Sequence, residues 1–283
     1  MQKLISLNGN SLKLDGGTMF GNAPKAMWSK WCTPDELNLL PMNCRSLLVI
    51  ESNKNILFDT GVGSFFSPEL KKRFAIVENN HILLDSLHTA GLTHTDIDFI
   101  VLSHLHFDHC GGLLSDWQEN IKPQLLFPKA RFLVSKQGWE RAINPHARDH
   151  ASFPKIIIQM LANSDRLEII DSETSNLLGS NYRFILSNGH TPGLLCTEIK
   201  TLDEPLIYVS DLIPGTPWVY LPITTSYDRA AEEVVNEKKL LLEYIVKHNA
   251  RIFYGHDPKT AVSNVAVNDK GQFYATNLQS NLF

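Results

Sequence analysis

Ser103-His-Leu-His-Phe-Asp-His-Cys-Gly-Gly112 decides the reading of this chain. His104, His106, Asp108 and His109 place four metal-capable side chains within six positions. Imidazole and carboxylate are the donors that hold zinc, iron or manganese. A His-x-His-x-Asp-His string arises by chance on the order of once in a thousand such chains, so its presence needs a cause. Residues two apart on extended backbone point the same way, so His104 and His106 can share one ion. Asp108 and His109 follow a tighter bend and can face a second. The preceding Asp98-Phe-Ile-Val-Leu102 reads as a buried strand. A strand end is where a scaffold presents a rigid site, which favours a metal centre over a solvated polar loop.

Three later segments repeat that pattern. His190, in Gly189-His-Thr-Pro-Gly193, follows the apolar run Tyr182–Leu186. Asp211 ends Leu206-Ile-Tyr-Val-Ser210, and His256 ends Ile252-Phe-Tyr-Gly255. Alone, a single His or Asp after a strand is usually a satisfied polar group. With the first motif they make seven ligands, the number that suits two ions joined by one bridging carboxylate.

In order and approximate spacing these motifs, with Ile56-Leu-Phe-Asp-Thr-Gly61 ahead of them and Gly255-His-Asp257 at the end, resemble the metallo-β-lactamase superfamily. The resemblance spans residues 44–257. It implies an α/β fold, the four-layer αβ/βα sandwich of the metallo-β-lactamase type. It also implies one ion held by His104, His106 and His190, and another by Asp108, His109 and His256, with Asp211 bridging. Ser103–His109 and Phe253-Tyr-Gly-His-Asp257 look like the versions found in N-acyl homoserine lactone lactonases. The chain departs from the family pattern in having Leu194 and Leu195 after the second motif, and from the lactonases in having Pro214 close behind Asp211.

With 283 residues the chain can bury a large core, and a single metallo-hydrolase domain over 1–283 is expected. It is 43% hydrophobic and 20% charged, an ordinary globular balance. No apolar run approaches the roughly twenty residues of a membrane span. The N-terminus lacks the pattern of a secretory signal, so a cytoplasmic protein is expected. A net charge of −4 without a basic run gives a phosphate backbone nothing to hold, which argues against nucleic acid as a partner. Cys32, Cys44, Cys110 and Cys196 show no Cys-x-x-Cys spacing and read as free, mostly buried thiols.

Along the chain, residues 44–51 and 56–60 read as a β-hairpin and 81–90 as a helix. Residues 131–135 read as a strand and 136–143 as a helix. Strands are expected at 166–171, 182–187, 195–201, 206–210 and 251–254, with a long helix over 229–248. Two segments are candidate pocket walls. Residues 17–41 carry Phe20, Trp28 and Trp31, with Lys25 and Lys30, and read equally as a loop folded over the core by its aromatics. Residues 144–163 carry Phe153, Arg148 and Lys155, and form a candidate substrate-capping insert. Trp218 and Tyr220, shortly after Asp211, are further candidates. His146 and His150 are four apart, but Pro145 and a seven-ligand set complete without them make them surface histidines. Asp59 is expected to accept a hydrogen bond near the ligand loop, as carboxylates that orient metal ligands do.

The expected chemistry is metal-assisted hydrolysis by a hydroxide held between two divalent cations, most simply zinc, with manganese and iron compatible. Asp108 and Asp211 are the catalytic carboxylates placed to pass a proton to the leaving group. The aromatic segments favour a small ester or lactone as substrate. A small phosphoester or phosphodiester is the runner-up, beside a thioester in the manner of glyoxalase II. Outside hydrolysis, the same scaffold could serve as an iron-dependent dioxygenase or a ligand-binding regulator.

Overall fold

A computed structural model describes residues 2–282. The chain divides into two compact units, residues 2–12 with 43–171 and residues 13–42 with 172–282.

The first unit is built on a six-stranded sheet in the order Lys3–Leu7, Ser46–Ile50, Asn55–Phe58, Phe99–Val101, Arg131–Ser135, Leu167–Ile170. The first two pairings are antiparallel and the last three parallel. The expected hairpin is present, its turn closed by Glu51 N–H donating to the Lys54 carbonyl at 2.9 Å. Register aligns Ile5, Leu48, Leu57, Ile100, Phe132 and Leu167 in one row across all six strands. Side chains in such a row share a face of the pleat. This row belongs to one apolar core with Leu83 and Leu87 of the helix Ile82–Thr89, and with Ile157 and Leu161 of the helix Lys155–Ala162. The helix Lys136–Ile143 starts where Ser135 accepts a hydrogen bond from Gly138 N–H at 2.9 Å, the usual reason a serine precedes a helix.

The second unit carries a six-stranded sheet in the order Phe273–Gln279, Val262–Val267, Arg251–Phe253, Leu206–Tyr208, Leu194–Ile199, Tyr182–Ser187. Only Leu206–Tyr208 and Arg251–Phe253 pair in parallel. The helix Ala231–His248 has Glu232 and Glu233 in its first turn and Lys247 and His248 in its last, complementing the helix dipole. Asn249 ends it in the left-handed conformation. Among the described residues, no helix is long and apolar enough to cross a membrane.

Several details depart from the sequence expectations. The strand expected over 206–210 stops at Tyr208, because Ser210 turns to φ 46° and starts a 3-10 turn that carries Asp211. The apolar run in the 144–163 insert is a helix, Lys155–Ala162. The C-terminal hairpin of Val262–Val267 and Phe273–Gln279 had no counterpart in the sequence reading.

The two readings of the aromatic segment at 17–41 divide by residue. Phe20, Trp28 and Trp218 are 0%, 1% and 2% exposed, too buried to form a pocket wall. Phe20 stacks on Trp28 at 5.2 Å between centroids and on Trp218 at 4.7 Å, and the Trp218 indole N–H donates to Met19 O at 2.9 Å. They form a packed core under this segment, leaving Trp31 and Tyr220 at its edge, 6.2 Å apart. Phe20→Leu is therefore expected to cost about 1–2 kcal/mol of stability through the lost stacking, with KM unchanged, in paired urea-unfolding and kinetic measurements. A raised KM at unaltered stability would restore the pocket-wall reading.

Candidate metal centre

In the first unit, the ligand motif leaves the parallel strand Phe99–Val101, and Asp59 leaves its neighbour Asn55–Phe58. Phe58 pairs with Val101, so the two loops start side by side. His104, His106, Asp108 and His109 lie on this short stretch, and all three histidines are buried. His104 Nε2 and His106 Nδ1 approach to 3.0 Å, and His109 Nε2 lies 3.9 Å from Asp108 Oδ2. These are the two pairs expected from the sequence, the first alternating on extended backbone and the second on the helical turn Phe107–Cys110.

Asp59 organises this half. It accepts from Ser103 N–H at 2.7 Å, from the Ser103 hydroxyl at 2.6 Å, and lies 2.8 Å from His109 Nδ1. The Ser103 hydroxyl also lies 3.1 Å from His104 Nδ1, so one carboxylate reaches two candidate ligands. Asp59 itself sits at φ 54°, a left-handed conformation that short polar side chains tolerate best. A carboxylate on Nδ1 fixes the tautomer that leaves Nε2 with its lone pair, the form a metal needs. Close glycine packing holds the loops together. A Cβ on Gly112 would come 2.1 Å from Thr60 O, which only glycine avoids. Phe153, from the candidate cap, packs edge-on against His106 at 4.8 Å. Phe107 lies within the motif and packs on Phe74 at 4.8 Å and Phe66 at 5.6 Å, and all three are half-buried.

In the second unit, Asp211 and His256 follow the paired parallel strands Leu206–Tyr208 and Arg251–Phe253. His190 lies in the turn between Tyr182–Ser187 and Leu194–Ile199. Asp211 Oδ2 lies 3.3 Å from His190 Nε2, and Asp211 Oδ1 lies 3.0 Å from His256 Nε2. One carboxylate thus turns a different oxygen to each imidazole, a disposition that suits a bridging ligand. His190 Nδ1 is held by Asp228 Oδ1 at 2.8 Å, as Asp59 holds His109. Sequence reading missed Asp228, which stands 38 positions from its histidine in an unremarkable Tyr-Asp-Arg context. Asp257, beside His256, caps the neighbouring turns by accepting from Thr216, Lys259 and Thr260 N–H.

The donor types fit divalent ions. Imidazole nitrogens and carboxylate oxygens converge at short range, and two of the histidines carry a carboxylate on the far ring nitrogen. The remaining candidates take no part in it. His146 Nδ1 accepts from Arg148 N–H at 3.1 Å, and His150 Nδ1 lies 2.8 Å from Ala147 O, so both are spent on local turns. The four cysteines are thiols outside any disulfide, and Cys44, Cys110 and Cys196 are buried. Burial pushes the Cys110 thiol well above its usual value, with the Asp108 and Asp59 charges adding to it, so it stays protonated and packs as an apolar residue.

Comparison with known proteins gives the family and the fold. The model of the metallo-beta-lactamase superfamily matches residues 39–256. The N-acyl homoserine lactonase AttM of Agrobacterium fabrum is 22% identical over 65% of this chain, and the alignment spans 66% of that protein, just under two thirds. The lactonase AiiB of the same organism is 22% identical over 94% of the chain and 98% of its own length. Among solved structures, a "probable metal-dependent hydrolase" from Staphylococcus aureus superposes with a TM-score of 0.86 at 23% identity, covering 98% of both chains. AidC, a dizinc quorum-quenching lactonase, superposes with a TM-score of 0.77 at 28% identity, covering 98% of this chain and 95% of its own. The α/β fold of the metallo-β-lactamase type expected from the sequence is the one these likenesses show.

Proposed function

The chain belongs to the metallo-beta-lactamase superfamily, and from that premise we propose that this enzyme is a dinuclear metallo-hydrolase that cleaves a small ester or lactone. His104, His106 and His190 would hold one ion, and Asp108, His109 and His256 the other, with Asp211 serving both. Zinc suits this set of imidazoles and carboxylates, and manganese or iron remain compatible with it. When bound, such ions supply an activated water and a Lewis acid for the attacked carbonyl. The single observation that carries the reading is Asp211, whose two oxygens face His190 and His256 separately.

The chain's own residues do the rest. Asp59 and Asp228 fix the orientation and tautomer of His109 and His190. Asp108 and Asp211 are the carboxylates from which a proton can pass to the departing oxygen. The substrate class is supported by apolar surface beside the ligand motif. Phe107, Phe74 and Phe66 offer a half-buried aromatic cluster, and Phe153, itself buried in the core of the first unit, anchors residues 144–163 beside His106. Such surfaces favour a neutral acyl group over a polymeric anion. AttM, AiiB and AidC, named as lactonases, point to the same class.

Initial rates on matched lactone, aryl ester, thioester and aryl phosphodiester substrates test the proposal. The lactone or ester is expected to be preferred. A preference of tenfold or more for the phosphodiester, about 1.4 kcal/mol of transition-state stabilisation, would overturn it.

A further inference from the structure

The helix Ala231–His248 buries Val234, Leu241, Leu242 and Ile245 along one face, and in the middle of that apolar stripe stands Lys238, 0% exposed. A lysine there is costly unless its ammonium is fully paired. Its Nζ donates to three backbone carbonyls, Tyr220 O at 3.3 Å, Leu221 O at 3.1 Å and Ile223 O at 2.7 Å. These carbonyls belong to the segment that runs on to Asp228, whose other oxygen accepts from Thr225 N–H at 2.7 Å. The preceding residue, Glu237, grips a different segment. It accepts from the Ser187 hydroxyl at 2.6 Å, Asn188 N–H at 2.6 Å and Gly189 N–H at 3.2 Å, directly ahead of His190. Gly189 lies so close to the helix that a Cβ there would come 2.5 Å from Val234 N.

We propose that Glu237 and Lys238 are the positioning pair for His190. One of these adjacent residues fixes the loop that carries the histidine, and the other fixes the loop that carries its Asp228 partner. Arg229 N–H to His190 O at 3.2 Å and Ala230 N–H to Gly189 O at 2.9 Å join the two loops beside the pair. Lys238 grips backbone carbonyls, and Glu237 grips two backbone N–H groups and a hydroxyl. Their effect passes through the 2.8 Å contact between His190 Nδ1 and Asp228 Oδ1, which holds only while both loops keep their places. The inference rests on the reading of His190 as a metal ligand.

The test uses the full chain loaded with zinc, with Glu237→Gln and Lys238→Met as variants and Leu241→Ala as control. Leu241 is buried on the same helix but grips neither loop. Zinc affinity is measured by chelator competition, alongside thermal unfolding and the NMR signal of the His190 Nδ1 proton. Glu237→Gln and Lys238→Met are expected to hold one of the two ions about 10- to 100-fold less tightly, the range for disturbed ligand support. His190→Ala should lose that same ion. The Nδ1 proton signal is expected to shift or broaden in both variants, with or without zinc. Leu241→Ala should lower the unfolding temperature while leaving zinc affinity and the Nδ1 signal alone. Glu237 is only half-buried, so Glu237→Gln carries the test if Lys238→Met does not fold. Unchanged zinc affinity and an unchanged Nδ1 signal in the folded variants would overturn the inference, as would equal loosening by Leu241→Ala. Failure of the unsubstituted protein to bind zinc would instead overturn the metal reading, leaving the Nδ1 signal to judge the pair.

Discussion

Asp211→Asn is expected to leave a folded protein whose hydrolysis is at least about a hundredfold slower on every substrate the unsubstituted enzyme turns over. The side chain is close to isosteric, so packing in the 3-10 turn Ser210–Leu212 is preserved. What changes is the acceptor set. A carboxylate presents an anionic oxygen both to His190 Nε2 at 3.3 Å and to His256 Nε2 at 3.0 Å. An amide presents one neutral oxygen and one N–H₂ group, which is a donor and cannot ligate a cation. Turnover should fall through kcat, since the residue is proposed to act on the reacting centre. Near-normal turnover in this variant would show that Asp211 bridges nothing.

The second large effect is on stability. Asp59→Ala would leave Ser103 N–H, the Ser103 hydroxyl and the His109 ring nitrogen without their buried acceptor. Each orphaned buried group costs about 1–3 kcal/mol. Alanine also tolerates the φ of 54° less well than aspartate does, a further cost of about 1 kcal/mol. A loss of about 3 kcal/mol or more is expected in urea unfolding of metal-free protein. Measuring without metal separates this effect from ligand binding. A loss below about 1 kcal/mol would mean that Asp59 is not what holds the motif in place.

These two residues also show what the sequence made legible. Asp211 and the motif at 103–112 could be read because each ends an apolar run, and a strand that stops at a ligand-type residue leaves a local mark. Asp59 could be read for the same reason, since it follows Ile56-Leu-Phe58. Asp228, Glu237 and Lys238 leave no such mark. Asp228 and Glu237 act across 38 and 50 positions, in His190–Asp228 and Ser187–Glu237, and Lys238 across 15 to 18, and no local pattern reports contacts at that range. Lys238 does interrupt the apolar stripe Val234, Leu241, Leu242, Ile245 at helical spacing, a signal that points to a buried cation once the helix face is drawn. The aromatics of residues 17–41 were ambiguous for a physical reason. Phe and Trp line pockets and fill cores through the same apolar surface, and only the stacking of Phe20 between Trp28 and Trp218 separates the two roles. The helix Lys155–Ala162 was hidden by its run of three isoleucines, which suits a strand as well as a buried helix.

The central proposal is that His104, His106, Asp108, His109, His190, Asp211 and His256 hold two ions. Elemental analysis of folded protein, purified without added metal, tests it most directly. Two divalent ions per chain are expected, most of them zinc, with loss of hydrolysis when they are stripped by a chelator. One ion or none per chain in a fully folded, active sample would contradict it.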